Sequence, residues 1–69
     1  MTKIQKILKE RKKTVYWLTM EIKFNKTNGR LAALGRLPAT VPMRAKIAEV
    51  LEVPIEEIFD SEGFALSEQ

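Results

Sequence analysis

The chain contains no cysteine and no histidine. These absences together exclude disulfide staples, Cys/His zinc sites, thiol nucleophiles and imidazole bases, leaving carboxylates, lysine, tyrosine and hydroxyls for chemistry. Long apolar runs are missing too. The amino-terminal stretch MTKIQKILKERKK carries a charge at least every third residue, and nothing in the first 25 residues is long enough for a signal h-region or a membrane span. A cytoplasmic protein is the expectation. Glycine and proline number three each beside 45% hydrophobic residues, and neither an internal repeat nor a low-complexity tract is present, which argues against disorder. Length is limited as well. A 69-residue chain has room for one core, and a domain of that size buries only about 60% of the surface its unfolded form exposes. No volume is left for a deep substrate cavity, so the expectation is a binding module rather than an enzyme, with no metal, cofactor or small-molecule substrate.

Charge is abundant but uneven. All 12 basic residues lie within 1–46, beside only Glu10 and Glu21, so that segment carries +10. Residues 47–69 hold seven acids and no base, −7, and the whole chain nets +3. A basic face steers a polyanion while an acidic end keeps part of the surface off it. Lysine-rich helix faces that are merely solvated give the same distribution.

Apolar periodicity reads as helices. Ile4, Ile7 and Leu8 recur at helical spacing behind Thr2, a cap candidate, which places a first helix at about Thr2 to Lys12. Thr14 is the next cap, with Val15, Leu18 and Ile22 behind it. A strand competes here, because Tyr16, Leu18, Met20, Ile22 and Phe24 alternate and Asn28-Gly29 is a hairpin turn signal. The second half of such a hairpin, RLAALGRL, is rich in Ala and Leu and poor in β-branched residues, which favours helix. Asn25 then caps a third helix from Lys26 to about Leu34, closed by a left-handed Gly35. Gly29 inside it costs about 1 kcal/mol relative to Ala. After the loop GRLPAT, Thr40 caps a fourth helix with Val41, Ala45, Ile47, Ala48 and Leu51 expected inward. Pro54 opens a short fifth helix ending in buried Ile58 and Phe59. The expected division is a domain over 1–60 and a short tail over 61–69 with too few apolar residues to order itself, although Phe64 and Leu66 can dock on this core or on another subunit.

Five short helices, with a turn of about three residues between the second and third, match a compact helix-turn-helix plan, and particular residues carry a closer likeness. The stretch MRAKIAEVLEVPIEEIF resembles the closing pattern of the Cro/C1-type (XRE-like) helix-turn-helix family, an "L-x-K-I-A-x-x-L" helix followed by a valine, a helix opening and "E-x-[LI]-F". Lys13, Thr14, Leu18, Ile22 and Phe24 fall at that family's second-helix and turn positions. Gly35 falls on the usual glycine after the third helix. The likeness runs over roughly residues 3 to 59 without insertion or deletion between Thr14 and Ala48. Four positions depart from it. Val15 stands where Gln is common and Thr19 where a small residue is; Lys23 replaces the turn glycine, predicting φ > 0, and Gly29 occupies the core aliphatic position of the third helix. Either Leu31 takes over that packing in a changed register, or the third helix is held less firmly.

The resemblance implies an all-α, five-helix Cro/C1 repressor-like domain acting as a sequence-specific, double-stranded DNA-binding transcriptional regulator, a repressor, with its third helix in the major groove. It carries base reading to Lys26, Thr27, Asn28 and Arg30, whose types suit guanine, thymine methyl and adenine. Phosphate contacts fall to Lys12, Lys13, Thr14 and Arg36. A homodimer on DNA is expected, joined through Phe64 and Leu66 or the surface around Ile55. The alternative is a protein-interaction module on the same scaffold that modulates another regulator. Trp17 is expected in the core and Tyr16 partly buried, rather than stacking on bases. Glu56 and Glu57 read as first-turn dipole compensation rather than a metal or acid/base pair. The first helix, with only Ile4, Ile7 and Leu8 on its apolar face and no aromatic anchor, is not expected on a membrane.

Overall fold

Four side-chain caps start the first four helices of the computed structural model, which describes residues 1–68. Thr2, Thr14, Asn25 and Thr40 accept hydrogen bonds from the amides of Gln5, Trp17, Asn28 and Met43 at 3.2, 3.0, 3.0 and 3.4 Å. Each such cap contributes about 1 kcal/mol by satisfying an otherwise orphaned amide. They open α1 (Lys3–Glu10), α2 (Val15–Ile22), α3 (Lys26–Ala33) and α4 (Val41–Leu51). The short α5 (Ile55–Ile58) follows Pro54 without a side-chain cap, with Glu56 and Glu57 in its first turn. The chain is mostly helical; among the described residues there is no strand, only two isolated antiparallel bridges. The alternation in Tyr16 to Phe24 therefore yields to a helical face formed by the buried Leu18, Thr19 and Ile22.

Three helices end alike. Lys12, Gly35 and Glu52 have φ of 58°, 79° and 58°, and the next residue in each case donates its amide five residues back in the Schellman pattern: Lys13 to Leu8, Arg36 to Leu31 and Val53 to Ala48, at 2.8, 2.9 and 3.1 Å. Left-handed Lys12 stops α1 at Glu10, two residues before the expected end. Lys23, at φ 59°, makes the turn after α2 that its place in the sequence predicts.

Helix α2 packs against both α3 and α4, and α4 against α5, around one core. Ile4, Leu8, Leu18, Ile22, Ile47, Leu51 and Ile58 are its fully buried large side chains, each worth about 1.5–3 kcal/mol of transfer free energy. In α4 the inward stripe differs from the expected one. Met43, Ile47 and Leu51 follow at i, i+4, i+8 and are buried with Ala48, whereas Val41 and Ala45 fall outside that stripe and are exposed.

The carboxyl-terminal segment corrects a second expectation, since its apolar poverty does not leave it unordered. Backbone pairing orders it instead. Lys3 donates to the Leu66 carbonyl, Leu66 to Ile58, Glu68 to Met1 and Ala39 to Gly63, all at 2.8–2.9 Å. Asp60 Oδ1 accepts from the Glu62 and Phe64 amides and turns the chain back on itself. Gly63 is buried at φ +95°, where an added Cβ would lie 2.6 Å from the Ala39 carbonyl oxygen. The radius of gyration, 10.2 Å, is slightly below the about 11 Å expected for this length. Gln69, the last residue of the expected tail, lies outside the described residues.

Candidate nucleic-acid interface

Helix α3 is held against α2 by the smallness of one residue. Gly29 is buried, and a Cβ there would stand 3.2 Å from Ile22 Cδ1 and 3.5 Å from Thr19 Cγ2. Thr19 and Gly29 thus meet across one close-packed seam. Leu31 does not replace Gly29, being only half-buried, and the inner face of α3 is closed by Gly29, Ala32 and Ala33. Thr2 ties down the far end of the helix: its buried hydroxyl donates to the Ala33 carbonyl at 2.7 Å while accepting the Gln5 amide.

With that face fixed, a helical advance of about 100° per residue determines what α3 shows to solvent. Thr27 falls opposite the buried face, with Arg30 and Lys26 on one flank; all three are exposed. Asn28 is exposed too, but lies on the other flank, where its backbone N–H donates to the Asn25 cap. Lys26, Thr27 and Arg30 line one cleft with Tyr16 and Thr19 of α2, about 260 Å3 in volume. Asn28 does not line it.

Lys12, Lys13, Thr14 and Arg36 are all exposed. The first three lead directly into α2, whose first amides point out of the helix with only Thr14 capping them. The Lys13 ammonium sits 5.0 Å from the Trp17 ring centroid. Arg36 follows the left-handed turn that ends α3. Among the described residues the ion pairs are Lys6–Glu68 and Lys46–Glu49, so none of the eight candidate residues is neutralised by a carboxylate. A second cleft, between α1 and α5, is of mixed charge, with Lys3 and Lys6 beside Glu10, Glu57 and Glu68.

The aromatic residues fall elsewhere than the sequence suggests. Tyr16 is 67% exposed rather than partly buried, and Trp17 is half-buried at the core margin rather than inside it. Leu18, Thr19 and Ile22 occupy the inner face of α2, which leaves Tyr16 and, one turn on, Met20 on its outer side. A helical wheel centred on those three residues is the signal that identifies Tyr16 as a surface residue; its large apolar ring suggests the opposite. The Lys26 ammonium lies 5.8 Å from the Tyr16 ring centroid, joining the two helices across the cleft.

Among the described residues no cluster of acidic side chains is arranged to hold a metal ion, and no helix is long and apolar enough to cross a membrane. Compared with known proteins, the chain matches no family model, no curated protein and no solved structure.

Proposed function

We propose that the chain is a helix-turn-helix protein of the Cro/C1 type that binds double-stranded DNA sequence-specifically as a transcriptional repressor, inserting α3 into the major groove. One observation carries the reading. A helix fixed on its inner face by Gly29, Ala32 and Ala33 turns Lys26, Thr27 and Arg30 outward, unpaired, beside the cationic start of α2. Lysine and arginine suit guanine O6 and N7, and the threonine methyl suits thymine. Lys12, Lys13, Thr14 and Arg36 flank them as phosphate anchors, fixing orientation without reading sequence. A single recognition helix covers too few base pairs for useful selectivity, so the working unit is a homodimer on half-sites about 34 Å apart. Ile55 and Phe64, both 38% exposed, are its contact candidates; Leu66 is half-buried and has its backbone engaged within the same chain.

A second reading, a module that binds another protein through the same face, is favoured by the exposure of Tyr16 and Met20 on α2. Duplex binding across a salt series, with selected and random sequences, separates the two. On the selected duplex Arg30→Ala costs about 1–3 kcal/mol and relaxes selectivity, with Asn28→Ala costing less because it stands on the flank away from the cleft. Lys12→Ala or Arg36→Ala weakens all duplexes and lowers the salt slope by about one per contact. Equal losses from both groups on both duplexes reduce the function to electrostatic adhesion. Absence of duplex binding at low salt transfers the face to a protein partner.

A further inference from the structure

The cleft between α2 and α3 has a chemistry that cation placement alone does not explain. Its floor is Thr19, buried, whose hydroxyl proton is donated to the Tyr16 carbonyl at 2.7 Å, leaving no free donor on that residue. Its walls are the Tyr16 ring and Thr27, and its rim carries the Lys26 and Arg30 cations. No carboxylate lines it. The tyrosine ring is 67% exposed, with the Lys26 ammonium 5.8 Å from its centroid. Such a cleft suits an apolar group borne by an anion. In the major groove of DNA the apolar group is the 5-methyl of thymine, and the sugar-phosphate backbone supplies the charge.

The geometry points to a thymine-methyl subsite in this cleft, with Tyr16 as its specificity-determining wall. The inference rests on the DNA reading above and extends it to a residue on α2 that lies outside the recognition helix. Thr27 contributes its methyl from α3, and Lys26 and Arg30 hold the neighbouring phosphate or base edge. The subsite distinguishes thymine from cytosine by the methyl itself, a contact worth a small factor per site.

Deoxyuridine substitution tests this directly, because it removes the methyl and leaves Watson–Crick pairing intact. The duplex selected from a random pool is rebuilt with deoxyuridine in place of each thymine in turn, and affinity is measured for the wild-type chain, Tyr16→Ala and Tyr16→Phe. At one thymine the wild type should lose about fourfold in affinity, as expected for one buried carbon. Tyr16→Ala should bind the thymine and deoxyuridine duplexes equally, and Tyr16→Phe, which keeps the ring, should retain the discrimination. Circular dichroism of each variant verifies folding, which the exposure of Tyr16 favours. Selective duplex binding with no thymine sensitive to methyl loss overturns the subsite while leaving the DNA reading intact. A penalty that persists unchanged in Tyr16→Ala assigns the methyl contact to Thr27 alone and overturns the role of Tyr16. Failure to bind any duplex removes the DNA reading and the subsite with it.

Discussion

The α2–α3 pair and the carboxyl-terminal segment are both ordered, yet by opposite means. The helix pair is basic, begins on its own caps and closes over a seam of small and branched side chains between neighbours in sequence. The terminal segment is acidic and short of apolar residues, and its order comes from backbone bonds to partners far away in the chain, such as Glu68 to Met1. Side-chain pattern therefore specifies the first region, whereas chain geometry specifies the second. One consequence is thermodynamic. Bonds of the second kind contribute about 1 kcal/mol each but form only when the whole domain has closed, so they couple both ends of the chain to a single transition.

The comparison breaks most visibly at the terminal segment. Truncation after Asp60 removes the bonds to Lys3, Ile58, Met1 and Ala39 and should cost about 4 kcal/mol, a large part of the stability of so small a domain. Urea denaturation measures it, and an unchanged midpoint would make the segment ornamental. Gly63→Ala should cost about 3 kcal/mol through one methyl, since its φ of +95° and the 2.6 Å approach to the Ala39 oxygen leave no room for a Cβ.

The helix pair should respond to volume rather than to backbone pairing. Gly29→Val forces branched bulk against Ile22 and Thr19 and should cost about 2 kcal/mol, with loss of duplex binding as α3 is displaced. Gly29→Ala should lie within about 0.5 kcal/mol of the wild type, because the helix-propensity gain offsets a 3.2 Å contact with the mobile end of Ile22. Equal costs for the two variants would show that the seam is not close-packed.

The smallest effect is expected from pH. The Glu68 carboxylate, through its hydrogen bond and charge, raises the Lys6 amine above its ordinary value of 10.5. Because the folded value is the higher one, that contribution is complete below 10.5 and disappears as pH rises through the folded value. With no histidine or cysteine in the chain, the thermal midpoint should be nearly flat from about pH 6 to 9. A marked slope in that window would contradict the expectation.

Much of the helical plan was legible because it is local. Thr2, Thr14, Asn25 and Thr40 each act on an amide three residues away, so a short window contains the whole interaction. The left-handed Lys23 and Gly35 were readable for the same reason. Reading failed where the deciding partner was remote. Met43 rather than Val41 faces inward because Ile47 and Leu51 continue its row into the core. The terminal segment is ordered by amides and carbonyls that every residue possesses and that leave no mark on composition. At the candidate interface, Lys26, Thr27 and Arg30 could be selected by position, but grouping them with Tyr16 and setting Asn28 aside required knowing which face of each helix Gly29 and Thr19 occupy.

Lys12, Lys23 and Glu52 adopt left-handed backbone without being glycine, and the first two border the cationic face. An L-residue in that region carries about 1 kcal/mol of strain that glycine avoids. Lysine at these bends keeps a positive charge where the least strained residue would be neutral. Selection for thermal robustness alone would drive Lys12 and Lys23 towards glycine, and each step would remove a cation beside α2 and α3. Stability and affinity thus compete at the same two codons, and variants evolved for heat resistance should drift towards weaker, less salt-sensitive attachment to polyanions.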